Sequence, residues 1–340
     1  MSSLRPVRGS AAEIHALLRE WETAADPEPL VVATSGSTGE PKPVLLSRRA
    51  LRASADATHE RLGGPGRWLL RLPADYVAGL LVLYRSVRAG LEPLVAGTGR
   101  SEPAAGDGRR YVSLVPTQLH RMLADPAELD LLRSFDTVLV GGAALDPVLR
   151  ERSARHQVAV VATYGMSETC GGCVYDGRPL PGVQVASGPD GRVRVAGPVL
   201  FDGYEGRPDL TAQVLRDGWF LTPDLGSVAD DGRVVVHGRV DDVVVSGGVN
   251  VAAGAVARRL REHPAVRDAE VVGVPDREWG RVVVGVLVGD LALDDARDWV
   301  GERHPRSWAP QRLVPVAALP LLANGKVDRR AVESIAAGGR

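Results

Sequence analysis

Hydroxyl groups, glycines and a lysine are concentrated in one short stretch of the chain. The stretch reads T-S-G-S-T-G-E-P-K, and it directly follows the apolar segment Leu30–Ala33. Glycines let backbone N–H groups approach an anion, and the hydroxyls and the lysine supply further donors. The spacing differs from G-x-x-x-x-G-K-[ST], so this is not a Walker A loop. The predicted phosphate-binding residues are Thr34, Ser35, Gly36, Ser37, Thr38, Gly39 and Lys42.

A second polar segment, Y-G-M-S-E-T, follows the apolar residues 158–162. Polar groups that follow a strand lie where ligands bind in open α/β sheets, at the carboxyl ends of the strands. Glu168 in this segment is a candidate Mg²⁺ ligand, because proteins hold this ion with one or two carboxylates together with phosphate oxygens. Taken alone, Glu168 is equally well interpreted as a solvated loop carboxylate.

Further charged residues and glycine pairs continue the pattern towards the end of the chain. Each is common in proteins when it occurs alone, so its weight depends on the two segments before it. In chain order they are Asp224 in T-P-D-L-G, Gly238-Arg239, Asp241 and Asp242, Gly247-Gly248, and Asn324-Gly325-Lys326.

The elements that must position these residues change in character along the chain. Helical spacing over residues 11–23 predicts an amphipathic helix. Apolar strands then alternate with helical stretches, which indicates a large α/β domain with a parallel sheet. We expect strands at 30–33, 44–46, 136–140 and 158–162, a helix at 117–124, and a β-rich part that includes 192–196 and 233–236.

The pattern of predicted helices and strands changes after Arg239, and the last hundred residues predict a small α+β domain. We expect a helix at 251–262, strands at 268–274 and 282–288, and a last helix from about residue 328. A chain of 340 residues exceeds the usual size of a single core. We therefore predict two domains, residues 1–240 and 241–340.

Composition excludes some classes of partner. The chain has 41 Lys and Arg against 42 Asp and Glu, so it lacks the positive field that attracts nucleic acid or anionic lipid. No apolar run reaches the roughly 20 residues that span a bilayer, and no secretory signal pattern is present. We expect a cytoplasmic protein that acts on small molecules. The only cysteines, Cys170 and Cys173, lack the further ligands of a zinc site, so we interpret them as small residues lining a loop.

Together and in this order, the motifs resemble the adenylate-forming superfamily, which includes acyl-CoA synthetases, luciferases and peptide-synthetase adenylation domains. The resemblance extends from about Val31 to Arg330 and implies the acyl-CoA synthetase fold. It implies that a carboxylate reacts with ATP to give acyl-AMP and pyrophosphate, and that a thiol then takes the acyl group. The implied small molecules are ATP, Mg²⁺, coenzyme A and a carboxylic acid. A homodimer is also common in that family, and the sequence leaves the oligomeric state open.

The resemblance also implies a role for individual residues. Lys326, Glu168 and Lys42 would be catalytic, with Glu168 on Mg²⁺ and Lys326 stabilising the charge that develops during adenylation. Asp241 would be the hinge about which the C-terminal domain rotates, and Gly247 and Gly248 would approach CoA. Besides the phosphate-binding loop, the implied nucleotide-binding residues are Gly142, Tyr164, Gly165, Ser167, Asp224 and Arg239.

Within the superfamily, the chain is most similar to the o-succinylbenzoate–CoA ligases of menaquinone biosynthesis, in particular the short actinobacterial type. The similarity rests on Y-G-M-S-E-T-C-G-G-C-V-Y-D-G, on S-L-V-P-T-Q-L-H-R-M-L and on the 33 residues that precede Thr34. A second carboxylate on the acid would need a cation, for which Arg85 and His120 are candidates, although a surface arginine and a solvated histidine are the plainer interpretations. The predicted acyl pocket is Tyr76, Gly79, Ser113, Gln118, Gly141 and Thr163.

Several positions depart from the pattern of that ligase group. Where its members have two histidines in L-P-x-H-H-V-A-G-L, this chain has Asp75 and Tyr76. Smaller departures are Pro43, Pro223 and the pair Ala257-Arg258. A CoA ligase or carrier-protein loader for another aryl or fatty acid is therefore one alternative. A scaffold that binds nucleotide without catalysis is an alternative of a different class.

Overall fold

The computed structural model describes residues 2–34, 42–95, 108–322 and 327–338, except for the side chain of Thr34. Its helices are α1 Ala11–Thr23, α2 Arg48–Arg61, α3 Val77–Ala89, α4 Pro116–Met122, α5 Pro126–Arg133, α6 Pro147–Arg155, α7 Pro208–Val214, α8 Ala253–Arg261, α9 Leu293–Gly301 and α10 Arg329–Ala336. Its strands from the first half are β1 Ser3–Leu4, β2 Val7–Arg8, β3 Leu30–Thr34, β4 Lys42–Leu46, β5 Gly66–Leu70, β6 Leu94–Val95, β7 Arg109–Leu114, β8 Thr137–Val140, β9 Val160–Met166, β10 Gly171–Tyr175 and β11 Arg178–Pro179. The remaining strands are β12 Gln184–Ser187, β13 Arg192–Ala196, β14 Gly203–Tyr204, β15 Leu215–Arg216, β16 Trp219–Val228, β17 Val234–Arg239, β18 Val243–Ser246, β19 Val249–Ala252, β20 Val266–Asp276, β21 Gly280–Gly289 and β22 Arg312–Pro315.

The chain forms two compact units, and each unit consists of three separate segments of the chain. The N-terminal unit contains Met1–Ala186, Arg194–Thr222 and Val228–Val234. The C-terminal unit contains Ser187–Val193, Pro223–Ser227 and Val235–Arg340. Asp224 therefore belongs to the same unit as Arg239 and Asp241, although it precedes them by many residues.

A mixed sheet with strand order β11-β10-β9-β8-β7-β5-β6 is the centre of the N-terminal unit. The strands β6, β5, β7, β8 and β9 are parallel, whereas at one edge β10 is antiparallel to β9 and β11 is antiparallel to β10. The parallel strands are apolar because helices cover them, and buried Val112, Val138 and Leu119 pack in this layer. The predicted α/β fold with a parallel sheet is confirmed.

Helix starts in this unit follow local sequence signals. The carboxylate of Asp125 accepts hydrogen bonds from the first turn of α5, and Asp146 does the same for α6. A proline follows each of these aspartates, at a position where its missing N–H costs nothing. These caps fix where α5 and α6 begin, and β8 and β9 follow these two helices in the chain.

A smaller antiparallel sheet has the strand order β14-β4-β3, and its strands β3 and β4 flank the predicted phosphate-binding loop in the sequence. Strand β3 leads into the loop and β4 leaves it, with Leu30 opposite Leu46 and Thr34 opposite Lys42. Strand β14 pairs with the outer side of β4, so that Tyr204 lies opposite Val44. This sheet fixes the backbone at both ends of the loop.

The C-terminal unit is built on the sheet β20-β21-β22, which has a helical layer on each face. Alternate residues of β20 and β21 point to opposite sides, so Val271 and Val283 pack with Leu260 of α8. Val272 and Val284 pack on the other side with Val332 of α10. The unit therefore has the α+β character that its sequence predicts.

Two predicted elements differ from the observed ones. The strand predicted at 158–162 begins at Val160 and continues to Met166, so Tyr164 and Gly165 lie inside it. The helix predicted at 251–262 is wrong at its start, because residues 249–252 form strand β19 and α8 begins at Ala253. In each case a β-branched or aromatic residue extends a strand beyond the run of strongest hydrophobicity.

Across the described ranges, no helix is both long enough and apolar enough to cross a membrane.

Candidate active site

The carboxyl end of β9 is the first place where predicted site residues meet. A short 3-10 turn, Ser167–Thr169, follows the strand, and the chain then reverses into antiparallel β10. The Thr169 hydroxyl holds the reversal, since it accepts a hydrogen bond from Met166 N at 2.9 Å and donates one to Gly171 O at 2.7 Å. Ser167 and Glu168 are therefore presented at the end of a parallel strand.

Close backbone packing at this turn explains two of the glycines in the motif. A Cβ on Gly165 would overlap the carbonyl of Gly171 on the neighbouring strand. A Cβ on Gly171, whose φ is +78°, would overlap Leu81 of α3. Only glycine therefore lets β9, β10 and α3 approach so closely at the position of the predicted nucleotide contacts.

Both cysteines of the motif are buried, Cys170 directly after the 3-10 turn and Cys173 in strand β10. Burial raises the pKa of the Cys173 thiol to about 12, and it also raises the pKa of Cys170. Among the residues that the structure describes, no cluster of His, Cys, Asp and Glu could hold a metal ion. The cysteines are thus protonated, packed side chains, but the prediction that both line a loop is wrong for Cys173, which lies in β10.

Glu168 is held by Tyr204, a residue that the motif search did not select. The Tyr204 hydroxyl donates a hydrogen bond to Glu168 Oε1 at 2.8 Å, and the Tyr204 side chain is almost fully buried. The backbone is held as well, because Phe201 N donates to Glu168 O at 2.9 Å. Nζ of Lys42 lies 5.9 Å from the centre of the Tyr204 ring. Tyr204 therefore binds a carboxylate and lies near a lysine, both of which the sequence predicts to be catalytic.

Three of the six predicted acyl-pocket residues lie at the carboxyl ends of neighbouring parallel strands. Ser113 lies near the end of β7, Gly141 follows β8, and Thr163 is in β9. The Thr163 hydroxyl donates to Val140 O at 3.4 Å, and Gly141 N donates to Leu114 O at 3.0 Å. The sheet thus brings these residues to one edge, and Gly142 follows with a φ of +83°.

The other predicted pocket residues lie around the starts of α3 and α4. Tyr76 is the residue that precedes α3, and Gly79 is buried so close to the carbonyl of Pro73 that a Cβ would overlap it. Gln118 uses its side chain in the first turn of α4. Its Oε1 accepts from Val115 N at 3.0 Å and its Nε2 donates to Arg71 O at 2.8 Å.

Arg85 is buried, contrary to the interpretation of a surface arginine. Only 3% of the residue is exposed, and its guanidinium lies 4.8 Å from the centre of the Trp68 ring. It donates a hydrogen bond of 3.4 Å to the Tyr175 hydroxyl, while its Nε has no partner. Within the described part of the chain, no carboxylate forms an ion pair with Arg85. His120, the other candidate cation, is exposed on α4.

Asp224, Arg239 and Asp241 come together in the C-terminal unit. Arg239 Nη1 lies 3.6 Å from Asp224 Oδ1, and Nη2 of the same side chain lies 3.5 Å from Asp241 Oδ2. Arg258, one of the departures from the family pattern, donates to the carbonyls of Val236 and His237 at 3.1 and 2.7 Å. It thereby fastens α8 to the strand that carries Arg239.

Gly247 and Gly248 form the two-residue turn between β18 and β19. Their φ angles of +54° and +79° are left-handed, which is the conformation that such a hairpin turn requires. A Cβ on Gly247 would lie 2.5 Å from the ring of Trp279, and Gly247 N donates to Trp279 O at 3.0 Å. Trp279 is 47% exposed, so the predicted CoA-contacting turn borders an exposed indole.

Some predicted residues lie outside the described residues, and their roles stay predictions. These are Ser35, Gly36, Ser37, Thr38, Gly39 and Lys326.

The comparisons with known proteins match both parts of the chain. The family model described as AMP-binding enzyme matches residues 12–205, and the model described as AMP-binding enzyme C-terminal domain matches residues 256–326. A Mycobacterium tuberculosis protein named probable 2-succinylbenzoate–CoA ligase is 44% identical over 331 residues, which cover 93% of this chain and 86% of that protein.

Solved structures give the same result. The o-succinylbenzoate CoA synthetase of Bacillus subtilis in complex with the acyl-adenylate intermediate OSB-AMP has a TM-score of 0.74 and 27% identity, covering 89% of this chain and 68% of that one. The same enzyme in complex with ATP and a magnesium ion has a TM-score of 0.74 and 27% identity, covering 88% and 68%. The predicted resemblance is confirmed: the chain belongs to the AMP-binding enzyme family.

Proposed function

We propose that the protein is an ATP-dependent 2-succinylbenzoate–CoA ligase. In the first step a carboxylate oxygen attacks the α-phosphorus of MgATP, and pyrophosphate leaves as acyl-AMP forms. In the second step the sulfur of CoA attacks the acyl carbon, and AMP leaves as the thioester forms. The observation that carries the proposal is the 44% identity, over 93% of the chain, to the mycobacterial ligase.

The residues at the end of β9 suit the binding of MgATP, which is a substrate here. Glu168 offers carboxylate oxygens, the ligand type that Mg²⁺ prefers, and its partner Tyr204 lies near Lys42, a lysine that suits phosphate. Lys42 and, from the family resemblance, Lys326 supply positive charge where negative charge spreads during attack on the α-phosphate. Such neutralisation needs no covalent bond to the protein. Asp224 and Arg239 supply an acceptor and donors for ribose hydroxyls.

Arg85 supports an acid with two carboxylates. A buried cation without an anion is unfavourable, and a carboxylate from a ligand would relieve that cost. Leu81 and Arg85 are four residues apart on α3 and so project from the same side of the helix, onto β10. Leu81 meets Gly171 at the start of β10, and Arg85 meets Tyr175 at its end. 2-Succinylbenzoate carries one carboxylate to be activated and a second one that can pair with Arg85.

Asp75 and Tyr76 favour a second candidate function, a CoA ligase or carrier-protein loader for another acid. They replace two histidines of the resembled ligases, Asp75 is exposed, and Tyr76 precedes α3. A changed residue at this place bears on the choice of acid and of thiol. It does not bear on adenylation, for which the proposed residues are all present.

Mass spectrometry of the reaction products tests the proposal. The purified protein is incubated with ATP, Mg²⁺, CoA and 2-succinylbenzoate, alongside a panel of benzoates and fatty acids. Formation of 2-succinylbenzoyl-CoA and AMP, ahead of the other acids, is the expected result. AMP and thioester from a different acid alone would favour the second candidate. The absence of AMP with every acid would favour a nucleotide-binding scaffold.

The remaining assignments are kept as proposals. We propose a cytoplasmic enzyme, because ATP and CoA are available there, with no nucleic-acid or membrane partner. We propose Asp241 as the hinge, a boundary at residue 240, and Gly247 and Gly248 as residues that approach CoA. Light scattering of the purified protein decides between a monomer and a homodimer.

A further inference from the structure

We infer that Tyr204 is a positioning residue for adenylation: its hydroxyl fixes the Glu168 carboxylate so that one oxygen stays available to the magnesium ion of MgATP. The inference rests on the proposed function, because it takes the role of Glu168 from there. It adds a residue that lies outside every motif used to predict the site.

The hydrogen bond sets which oxygen of Glu168 is available. Tyr204 donates to Oε1 at 2.8 Å, so the lone pairs of Oε2 remain for another partner.

Tyr204 itself is held rigidly. Its backbone N donates to the Thr211 hydroxyl at 2.9 Å, and its strand pairs with β4 opposite Val44. Its ring meets Phe201 edge to face, with 5.0 Å between the ring centres. Phe201 in turn donates its N–H to the carbonyl of Glu168. Side chain and backbone of Glu168 are thus fixed by the same short segment, residues 201–204.

This segment also connects the Glu168 turn with Lys42, the last residue of the predicted phosphate-binding stretch. Strand β4, which pairs with β14, begins at Lys42, and Lys42 Nζ lies within cation–π distance of the Tyr204 ring at 5.9 Å. A partner that orients a metal-binding carboxylate typically contributes ten- to a hundredfold in metal affinity or activity. Tyr204 is placed to make such a contribution to the affinity for the metal and to keep Lys42 near the metal.

The chain offers a matched control in Tyr84. Its hydroxyl donates to Glu22 Oε2 at 2.6 Å, and burial raises the pKa of its phenol. This second buried tyrosine–glutamate pair joins α1 and α3, and no proposed role involves it. Tyr204→Phe and Tyr84→Phe each remove one buried phenol oxygen and leave the ring in place.

The inference can be tested without acid or CoA by measuring how tightly the protein binds Mn²⁺ together with ATP. The electron paramagnetic resonance signal of free Mn²⁺ reports this binding. For Tyr204→Phe we expect the apparent Kd of Mn²⁺·ATP to rise about tenfold or more, with little change in the binding of ATP in EDTA. The Mg²⁺ concentration for half-maximal pyrophosphate exchange should rise in parallel. Tyr84→Phe should leave all three quantities unchanged. In a Glu168→Gln background, Tyr204→Phe should add no further loss.

Three results would overturn the inference. The first is that folded Tyr204→Phe binds Mn²⁺·ATP as tightly as the parent. The second is that Tyr204→Phe weakens the binding of metal-free ATP as much as that of Mn²⁺·ATP. The third is that Tyr204→Phe causes its full loss of Mn²⁺·ATP affinity even in the Glu168→Gln background. Circular dichroism and thermal unfolding of both tyrosine variants show whether a loss comes from the fold. A parent protein that binds Mn²⁺·ATP but forms no thioester from 2-succinylbenzoate would contradict the proposed substrate and leave the role of Tyr204 intact.

Discussion

Asp224 and Arg239 form an ion pair in which the two partners are buried to different extents. Their nearest charged atoms are 3.6 Å apart, and the side chain of Asp224 is 8% exposed against 39% for Arg239. A nearly buried carboxylate is costly unless charged or hydrogen-bonding groups compensate it. The pair therefore holds an acceptor and a set of donors in fixed positions on two strands of the C-terminal unit, where the family resemblance predicts ribose contacts.

Asp224→Ala should weaken ATP binding more than it changes the turnover of bound substrate. A hydrogen bond to a charged group contributes about 1.5–3 kcal/mol, so we expect the KM for ATP in pyrophosphate exchange to rise about ten- to a hundredfold. Asp231→Ala is the control, because Asp231 forms exposed ion pairs with Arg178 and Arg233 at 3.8 and 3.3 Å. Equal KM values for Asp224→Ala and the parent would contradict the ribose assignment.

Arg85→Met should abolish the preference for an acid with two carboxylates. We compare 2-succinylbenzoate with 3-benzoylpropionate, which lacks the carboxylate on the ring, and with 2-butyrylbenzoate, which lacks the aliphatic one. The loss of a charged hydrogen bond predicts a fall in kcat/KM of about ten- to a hundredfold for 2-succinylbenzoate. The acid that keeps only the activated carboxylate should react with both proteins at similar rates.

Stability provides an independent check on Arg85. Replacing a buried charge by an apolar side chain of similar volume is often neutral or stabilising. We therefore expect Arg85→Met to unfold at the same temperature as the parent or at a higher one, as is common when a binding residue is removed. Arg85→Lys keeps the charge and should retain part of the preference. A variant that unfolds much earlier while keeping its acid preference would show that Arg85 has only a structural role.

The order of the elements could be predicted because hydrophobic runs and turn residues are local signals. The helix at 11–23 begins at Ala11 and ends at Thr23, as its spacing predicts. The end of β9 was misjudged, because Thr163, Tyr164 and Gly165 interrupt the apolar run. Their strand conformation depends on pairing with β10, which returns along the same residues. A contact between strands of this kind has no signal within a window of a few residues.

The candidate site likewise contains residues that the sequence could predict and residues that it could not. Glu168, Asp224 and Arg239 were predicted because each lies in a short motif with a family pattern. Tyr204 was missed because its partner Glu168 is 36 residues away, and tertiary contacts such as the hydrogen bond from Phe201 N to Glu168 O bring them together. Arg85 was recognised as a candidate cation, but its burial depends on two residues outside its helix, Trp68 of β5 and Tyr175 of β10. Burial of a long polar side chain cannot be inferred from its own helix.

His59 should make folding stability depend on pH in mildly acidic solution. Its pKa is lowered from 6.5 to about 4, first by burial and then by the charge of Arg85. Asp56 raises this pKa, and Arg88 lowers it. Between these pH values the unfolded chain binds a proton that the folded chain does not. The contribution of His59 is therefore complete above pH 6.5 and is lost as the pH falls towards 4.

Urea unfolding at several pH values measures this effect. Between pH 7 and pH 4, we expect the parent to lose on the order of 2 kcal/mol more unfolding free energy than His59→Leu, after allowing for solvent screening. Arg85→Met should raise the pKa of His59, which NMR titration of the ring protons can follow. Identical pH profiles for the parent and His59→Leu would contradict the low pKa.

Cys170 and Cys173 should be unreactive in the folded protein. Both thiols are fully buried, burial raises the pKa of Cys173 to about 12, and it raises the pKa of Cys170 as well. Because the thiolate is the reactive form, a thiol that is both buried and protonated reacts slowly with disulfide reagents. We expect no labelling by 5,5′-dithiobis(2-nitrobenzoate) at pH 8 before unfolding, and labelling of both cysteines in urea. Rapid labelling of the native protein, with a loss of pyrophosphate exchange, would instead indicate that the turn after Glu168 opens in solution.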